Sequence, residues 1–405
     1  MFKNLFIVFI LLFFNNIISS QNWVQISDFP ATERDDGLSF EIGNKAYCGT
    51  GFKTGWITCR DMYSFDMNTE TWDTIAPLPL GMERQYATGF SYNNLGFVFG
   101  GINGSSYLND LWMYDTATGN WQNKASLPGL GRMGMCNFVI NDTAYIIGGR
   151  TAIVSAISEI WAYSIIFDTW TFKGSLPFGE SWRASATAAN SKGYLIFGKD
   201  LANNYRRELY EFNPISKLWI LISNFPNAGR VYSTLQSYNN VLIVVAGLDS
   251  NSYSYRDLWR FDLMSSSWLQ LTSIPAIERR GGMCFANNTT LYYTTGIDQT
   301  DLRLKQTWKI FNPNSVTDFS TFSTFNIFPN PATNLIYIEF ESLISNTWII
   351  EITNSFGQVV NRFNYESIYN GNNKVEIDLN SFMKGIYFVQ LQNKNHFIVK
   401  KFIKN

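Results

Sequence analysis

One line recurs six times in this chain, and it limits the fold more than any single residue does. It opens on a tryptophan, at Trp23, Trp72, Trp121, Trp170, Trp219 and Trp268, and each lies 49 residues after the one before. A proline keeps the same step at Pro30, Pro79, Pro128, Pro177, Pro226 and Pro275. So does a second aromatic, at Tyr63, Trp112, Trp161, Tyr210, Trp259 and Trp308. Two residues before each of these stands Asp61, Asp110, Glu159, Glu208, Asp257 or Gln306. A period of about 50 residues means that one supersecondary unit is repeated in an array, which points to a propeller or a solenoid.

Within a unit the β-rich runs alternate and nothing repeats at the helical period, so the unit is built of strands. In the second unit strand a is expected near Tyr86 to Tyr92, strand b near Gly96 to Gly100, strand c near Asp110 to Asp115 and strand d from Trp121. Turns at Asn93-Asn94 and Thr118-Gly119-Asn120 join them. The glycines ending strand b, Gly100-Gly101 and Gly148-Gly149, with Gly51, Gly247 and Gly296 as reduced versions, let the chain turn where a side chain would clash. The 17% aromatic content is ample for a packed core.

Counting strands predicts how the ring closes. The chain enters on a lone strand d at Trp23, whereas the last unit runs only through strand c, and the position due for its next tryptophan is Thr317. The first strand is therefore expected to complete the last blade, which removes two open sheet edges at once. The expected fold is all-β, with a six-bladed propeller over residues 21–312.

At these glycines, aromatics and tryptophans the chain resembles the kelch repeats, the family of the galactose oxidase central domain. The fourth unit departs from the pattern, with Gly198-Lys199 in place of the di-glycine and Tyr210 in place of tryptophan. After Pro313 a Ser/Thr-rich stretch, residues 313–325, reads as a linker. Alternation then returns in NLIYIEF, TWIIEI and GIYFVQL, which predicts a small immunoglobulin-like β-sandwich over residues 326–405. FPNPATNLIYIEF, NSFGQVV, KGIYFVQL and the terminal KKFIKN together resemble the C-terminal sorting domain of the type IX secretion system of Bacteroidetes. That resemblance implies an address recognised by the secretion machinery and a passenger delivered to the outside.

The N-terminus agrees with export. Lys3, an apolar run from Leu5 to Phe14 and small polar residues before Gln21 give residues 1–20 the layout of a signal peptide, too short to span a bilayer. No transmembrane segment is expected after its removal, and a monomer on the cell surface or in the medium is the expected product. A formal charge of −1 without a basic run argues against nucleic acid as a partner. Four cysteines do not make a disulfide scaffold. Cys136 and Cys284 are expected as free thiols on opposite inner strands. Cys48 and Cys59 flank a b-to-c loop, and a disulfide between them is left open, because the hairpin register is expected to place Cys48 nearer Ser64.

Catalytic sets are mostly missing. The only histidine is His396, in the sorting domain, so the propeller can build neither a histidine triad nor a histidine metal site. No cofactor or metal is expected, and copper oxidation in the manner of galactose oxidase is excluded. Binding is the favoured role. The d-to-a and b-to-c loops should share one face, and just before each strand a stands Arg34, Arg84, Arg132, Arg183, Arg230 or Arg280, expected to ring the channel mouth and hold an anion. The structural alternative is that each arginine pairs with a neighbouring glutamate, with Glu33, Glu83, Glu180 and Glu278 close by, or with a blade carbonyl. The b-to-c loops add Trp56, Tyr107, Tyr205, Tyr253 and Tyr255, with Arg206, Arg256 and Asp249, which suit a sugar or a peptide. A second reading is a histidine-free carbohydrate isomerase resembling sialic acid mutarotase, with Asp249 and Arg256 as its carboxylate and arginine.

Overall fold

The computed structural model describes residues 23–311, 313, 322–342, 347–355, 358–366, 371–392 and 397–405. The expected signal peptide, most of the linker and His396 lie outside the described residues. The described part falls into two compact units, one over residues 23–313 and one over residues 322–405, and it contains strands and no helix.

The first unit holds six four-stranded antiparallel sheets, five of them laid out in chain order from an inner to an outer strand. Blade 1 runs Leu38–Ile42, Lys45–Gly49, Met62–Asp66 and Thr71–Ile75, and blade 2 runs Thr88–Tyr92, Leu95–Phe99, Leu111–Asp115 and Asn120–Lys124. The inner strands of blades 3 to 6 are Cys136–Ile140, Trp182–Ala189, Thr234–Tyr238 and Met283–Ala286. Each inner strand packs on the inner strands of both neighbours, and Met283–Ala286 against Leu38–Ile42 closes the circle. As expected, the entering strand Trp23–Ile26 is the outermost strand of blade 6, with Trp23 opposite Ile310 and Ile26 opposite Thr307.

The repeated tryptophans couple each blade to the previous one. The indole N–H of Trp72 donates to Ser27 O, that of Trp121 to Ala76 O and that of Trp170 to Ala125 O, always a partner 45 residues upstream. The closing strand keeps the rule across the junction, since Trp23 Nε1 donates to Thr272 O at 2.7 Å. The ring bodies sit in the seams, with Phe65 between Trp72 and Tyr292 and Phe225 edge-on to Trp268.

The di-glycine resolves into two different requirements. Its first position is left-handed in every blade, yet it accepts Thr50, Phe197, Ala246 and Thr295 at φ from 56° to 69° as well as Gly100 and Gly148. The second is glycine in all six blades, Gly51, Gly101, Gly149, Gly198, Gly247 and Gly296, at φ between 87° and 113°. A Cβ on Gly101 would stand 2.7 Å from Gln85 O, so both the conformation and the space forbid a side chain. Gly198 is thus the second glycine of blade 4, and Phe197, not Gly198, fills its first position.

All four cysteines are free and buried. The strand pairing sets Cys48 opposite Tyr63, one residue from the expected Ser64, while Cys59 lies in an isolated bridge with Arg84 on the loop to blade 2. The bond left open from the sequence is not formed.

The second unit is a seven-stranded sandwich. Phe322–Phe328, Leu335–Ser342 and Gly371–Asp378 make one antiparallel sheet, and Val359–Glu366, Thr347–Asn354, Gly385–Gln392 and Phe397–Lys404 make the other. Ile336, Ile338 and Phe340 from the first meet Trp348, Ile350, Val389 and Phe402 from the second in one core. Its first strand begins at Phe322, inside the stretch read from the sequence as linker.

Candidate functional site

Most of the repeated arginines brace the blades instead of facing the channel. Arg34 grips Asp61 with both guanidinium nitrogens at 2.9 and 2.7 Å, Arg84 grips Asp110 at 2.9 and 2.8 Å, and Arg230 grips Asp257 at 2.7 Å twice. Arg132 makes the same reach to Glu159 at 2.8 Å. In each case the carboxylate also accepts from the aromatic two residues on, Tyr63, Trp112, Trp259 or Trp161. This explains why an acid precedes the second aromatic in these four blades. The neighbouring glutamates expected as partners are engaged elsewhere: Glu33 with Lys305, Glu83 with Arg60 and Glu278 with Arg256.

The expected ring of Arg34, Arg84, Arg132 and Arg230 at the channel mouth is therefore corrected. These guanidinium groups are buried within the blades, where an unpaired charge would be costly and a paired one cross-links loop to strand. The backbone defines the repeat position independently. The second glycine of each blade donates its N–H to the next blade, from Gly51 to Arg84 O, Gly101 to Arg132 O, Gly149 to Ser181 O, Gly198 to Arg230 O, Gly247 to Arg279 O and Gly296 to Arg34 O. In blade 4 the bracing position is thus Ser181, and in blade 6 it is Arg279, which donates to Gln306 at 3.1 Å. Arg183 and Arg280 are displaced by two residues and by one, and these two do reach the mouth.

Two residues beyond the bracing position each blade contributes one residue to an inner annulus: Asp36, Tyr86, Gly134, Arg183, Tyr232 and Gly281. All six are left-handed, with φ between 54° and 65°. Their backbones are joined around the channel, Asp36 N to Gly281 O at 2.8 Å, Tyr86 N to Asp36 O at 3.0 Å, Gly134 N to Tyr86 O at 2.9 Å, Arg183 N to Gly134 O at 2.8 Å and Gly281 N to Tyr232 O at 3.2 Å. The scaffold is six-fold but its decoration is not. One carboxyl, two phenols and one guanidinium converge on one opening, above a channel cavity of about 460 Å³ walled by the six inner strands.

Arg183 dominates this opening. Its guanidinium carbon lies 3.4 Å from the ring centre of Tyr232, 4.1 Å from that of Tyr86 and 4.2 Å from that of Trp182. Burial lowers its pKa against the support of Tyr86 and Asp36, and its Nε and Nη1 have no hydrogen-bond partner. Burial, and then repulsion from Asp35, lifts the Asp36 carboxyl well above the carboxylate range, against the pull of Arg183, Tyr86 and Arg280. Asp36 Oδ2 is likewise buried without a partner, and so is Trp182 Nε1. Arg280 adds a second cation 5.0 Å over Tyr232. Asp35 is neutralised separately by Arg303 at 2.7 Å.

The expected loop residues divide. Trp56 is 75% exposed at the rim, packed edge-on to Phe52 beneath Arg303. Tyr107 flanks the Met133 and Trp182 cluster, Tyr205 lies below Lys199, and exposed Tyr253 meets Tyr255 edge-on. Tyr255 and Arg206 turn inward, one under Arg230 and one over Phe178. Asp249 and Arg256 are not brought together: Asp249 caps its own loop by accepting from Asn251 N, Tyr253 N and the Tyr255 hydroxyl, while Arg256 bonds Ala276 O and pairs with Glu278. The sequence reading missed Asp36, Tyr86, Trp182 and Tyr232. A signal was present, because Arg34, Arg84, Arg132 and Arg230 each stand 26 or 27 residues before an acid, Asp61, Asp110, Glu159 or Asp257, and Arg183 and Arg280 do not.

The family model described as the Attractin/LZTR1 beta-propeller matches residues 46–303, well over half of the chain. The chain belongs to this family. The model of a secretion system C-terminal sorting domain matches residues 326–405, and the protein is handled by type IX secretion and exported to the cell surface or the extracellular space. The propeller is similar to human Kelch domain-containing protein 3, 31% identical over 147 residues, which are 32% of this chain and 38% of that protein. It is also similar to N-acetylneuraminate epimerase of Shigella sonnei, 36% identical over 83 residues, 19% of this chain and 22% of the epimerase. The chain thus spans less than two fifths of these curated relatives. The solved structure of YjhT shares the fold, with a TM-score of 0.59 at 17% identity, covering 70% of this chain and 96% of that one.

Proposed function

We propose that the exported propeller is a binding module that takes an acidic sugar or a peptide carboxylate at the channel mouth on its loop face. The observation that carries this reading is the annulus, in which a repeat that could place the same side chain six times instead places Asp36, Tyr86, Arg183 and Tyr232 beside two glycines. The Arg183 guanidinium, at the channel opening with two unpartnered nitrogens and no carboxylate ion pair among the described residues, offers donors to an anion, and phenol rings beside it suit the apolar face of a sugar. Export to the cell surface fits a role in capturing or adhering to such a ligand. A glycan array probed with the purified propeller and with its Arg183→Ala variant tests this. Acidic glycans should be retained by the parent and lost by the variant, and equal retention by both would remove the mouth as the site.

A second reading is a carbohydrate isomerase acting on an acidic sugar. It is favoured by Asp36, a carboxyl held in its protonated form well above the usual range and placed beside Tyr86 and Arg183, which is the kind of group that can hand over and recover a proton near neutral pH. The similarity to a protein named N-acetylneuraminate epimerase supports it. Proton NMR of freshly dissolved sialic acid separates the two readings. Faster equilibration of its anomers, abolished by Asp36→Asn, would establish an isomerase, whereas an unchanged rate with measurable binding would leave the module.

A further inference from the structure

The residue that follows the obligatory glycine bridges to the residue just before the annulus in every blade. These partners are Asp35 with Phe52, Gln85 with Ile102, Met133 with Arg150, Trp182 with Lys199, Val231 with Leu248 and Arg280 with Ile297. In four blades the residue after the glycine is apolar: Phe52, Ile102, Leu248 and Ile297. Only in blades 3 and 4, which are neighbours, is it a cation.

Arg150 and Lys199 converge on the same ring. The guanidinium carbon of Arg150 lies 5.9 Å and Lys199 Nζ 4.8 Å from the centre of Trp182, whose other neighbour is Arg183 at 4.2 Å. Three cations therefore surround one indole. Among the described residues none of the three forms an ion pair with a carboxylate, and Lys199 Nζ has a single partner, Asn203 Oδ1 at 2.9 Å. Burial and then the charges of Arg183 and Arg150 lower the Lys199 pKa, as expected where like charges are held together. Arg183 is only 8% exposed and brings two unpartnered N–H groups, and the buried Trp182 Nε1 brings another.

We infer that Arg150, Lys199, Arg183 and the Trp182 indole N–H form an oxyanion subsite at the junction of blades 3 and 4, built for the tetrahedral head of a sulfate or phosphate ester. This rests on the mouth reading proposed above and makes it more specific. A carboxylate would satisfy Arg183 and leave two cations crowded at the rim. A tetrahedral group with three or more acceptor oxygens can accept from all of them, and charge-assisted bonds of this type are the strong ones. The apolar surface of Trp182 beside the charges fits an ester carried on a sugar ring better than a free ion.

Isothermal titration of the full chain with N-acetylglucosamine, its 6-sulfate and its 6-phosphate, together with inorganic sulfate and inorganic phosphate, tests the subsite. The expected result is that at least one ester binds tenfold or more tightly than the parent sugar, with an affinity that falls as salt rises. The sulfate and phosphate arms show which ester it is. Arg150→Gln and Lys199→Gln, both at the partly solvated rim, should each weaken that ester about tenfold while leaving the melting temperature unchanged. Equal affinity for esters and parent sugar, or a double variant that binds the ester as the wild type does, overturns the inference. If esters fail here while acidic glycans on the array still depend on Arg183, the subsite falls and the mouth reading stands. If ligands bind independently of Arg183, Arg150 and Lys199, both fall.

Discussion

The guanidinium carbon of Arg183, from blade 4, stands 3.4 Å from the ring centre of Tyr232, from blade 5, while that of Arg84 has no such freedom and is gripped by Asp110 at 2.9 and 2.8 Å. Two arginines alike in sequence context thus have opposite roles. Arg84→Ala leaves Asp110 and Gly100 O without their donor inside a blade and should cost about 3 to 5 kcal/mol, seen as a fall in melting temperature. Arg183→Ala removes a charge whose Nε and Nη1 are unpartnered, so its effect on stability should be clearly the smaller, and its effect on ligand capture the larger. Thermal melts and binding curves of the two variants side by side check this, and a common pattern for both would contradict the assignment.

The thiols make a second prediction. Cys136 and Cys284 are buried on the channel wall, and burial pushes both up to about 12, so neither offers a thiolate at neutral pH. Cys48 is buried as well, and Cys59 lies against the Ile57 carbonyl. A thiol reagent should therefore label the native propeller only slowly and label four sites per chain once guanidinium unfolds it. Mass spectrometry of unreduced peptides should find no bridge.

How far the sequence spoke for itself follows from what repeats. Trp23, Trp72, Trp121 and Trp170 each donate to a backbone carbonyl of the neighbouring blade and Trp268 to Ser223 Oγ there, so one physical need, a donor and an aromatic body at the blade seam, is written repeatedly and shows as a period. The closing strand was legible for the same reason. The site is the reverse case. Asp36, Tyr86, Arg183 and Tyr232 differ from blade to blade because an asymmetric ligand site requires it, and no period can reveal residues that do not recur. Arg34 and Arg230 were misplaced because a recurrent arginine looks the same on paper whether it faces a ligand or an aspartate. The decision lay in a spacing of 26 to 27 residues to Asp61, Asp110, Glu159 and Asp257, which Arg183 does not keep. Asp249 misled for a further reason. An aspartate in a loop is as often a cap for its own backbone as a functional carboxylate, and here it accepts two backbone N–H groups.

Closure can be tested at one residue. Trp23 is buried, pairs with Ile310 and donates its indole N–H to Thr272 O at 2.7 Å, joining the first strand to both blade 6 and blade 5. Trp23→Ala should cost about 3 to 5 kcal/mol through the cavity and the orphaned carbonyl. Deleting residues 21–29 would also bare the outer edge of Thr307–Phe311 and should promote association through that edge, visible by light scattering. A deletion variant that melts as the parent does and stays dispersed would show that the ring does not depend on this strand.

The last prediction concerns a carboxyl inside the channel. Glu41, on the inner strand of blade 1, reaches across to blades 5 and 6, where its Oε1 accepts from Gln236 Nε2 at 3.1 Å and from Ala286 N at 3.3 Å. Enclosure by the six inner strands raises its pKa to about 7, and those two bonds only partly oppose the rise. Because the folded state holds this proton more tightly than the unfolded chain does, the folded form is favoured at low pH. That advantage is lost as pH climbs from the ordinary glutamate range through about 7, by at most about 3 to 4 kcal/mol, and less to the extent that channel water reaches the group. Glu41→Gln keeps the reach and an acceptor oxygen for Gln236 and Ala286 but cannot ionise. The stability of the variant relative to the wild type, measured by denaturant unfolding at steps from pH 5 to pH 8, should therefore rise with pH and level off above neutrality. A difference that stays flat across this window would mean that Glu41 is solvated well enough in the channel to ionise without penalty.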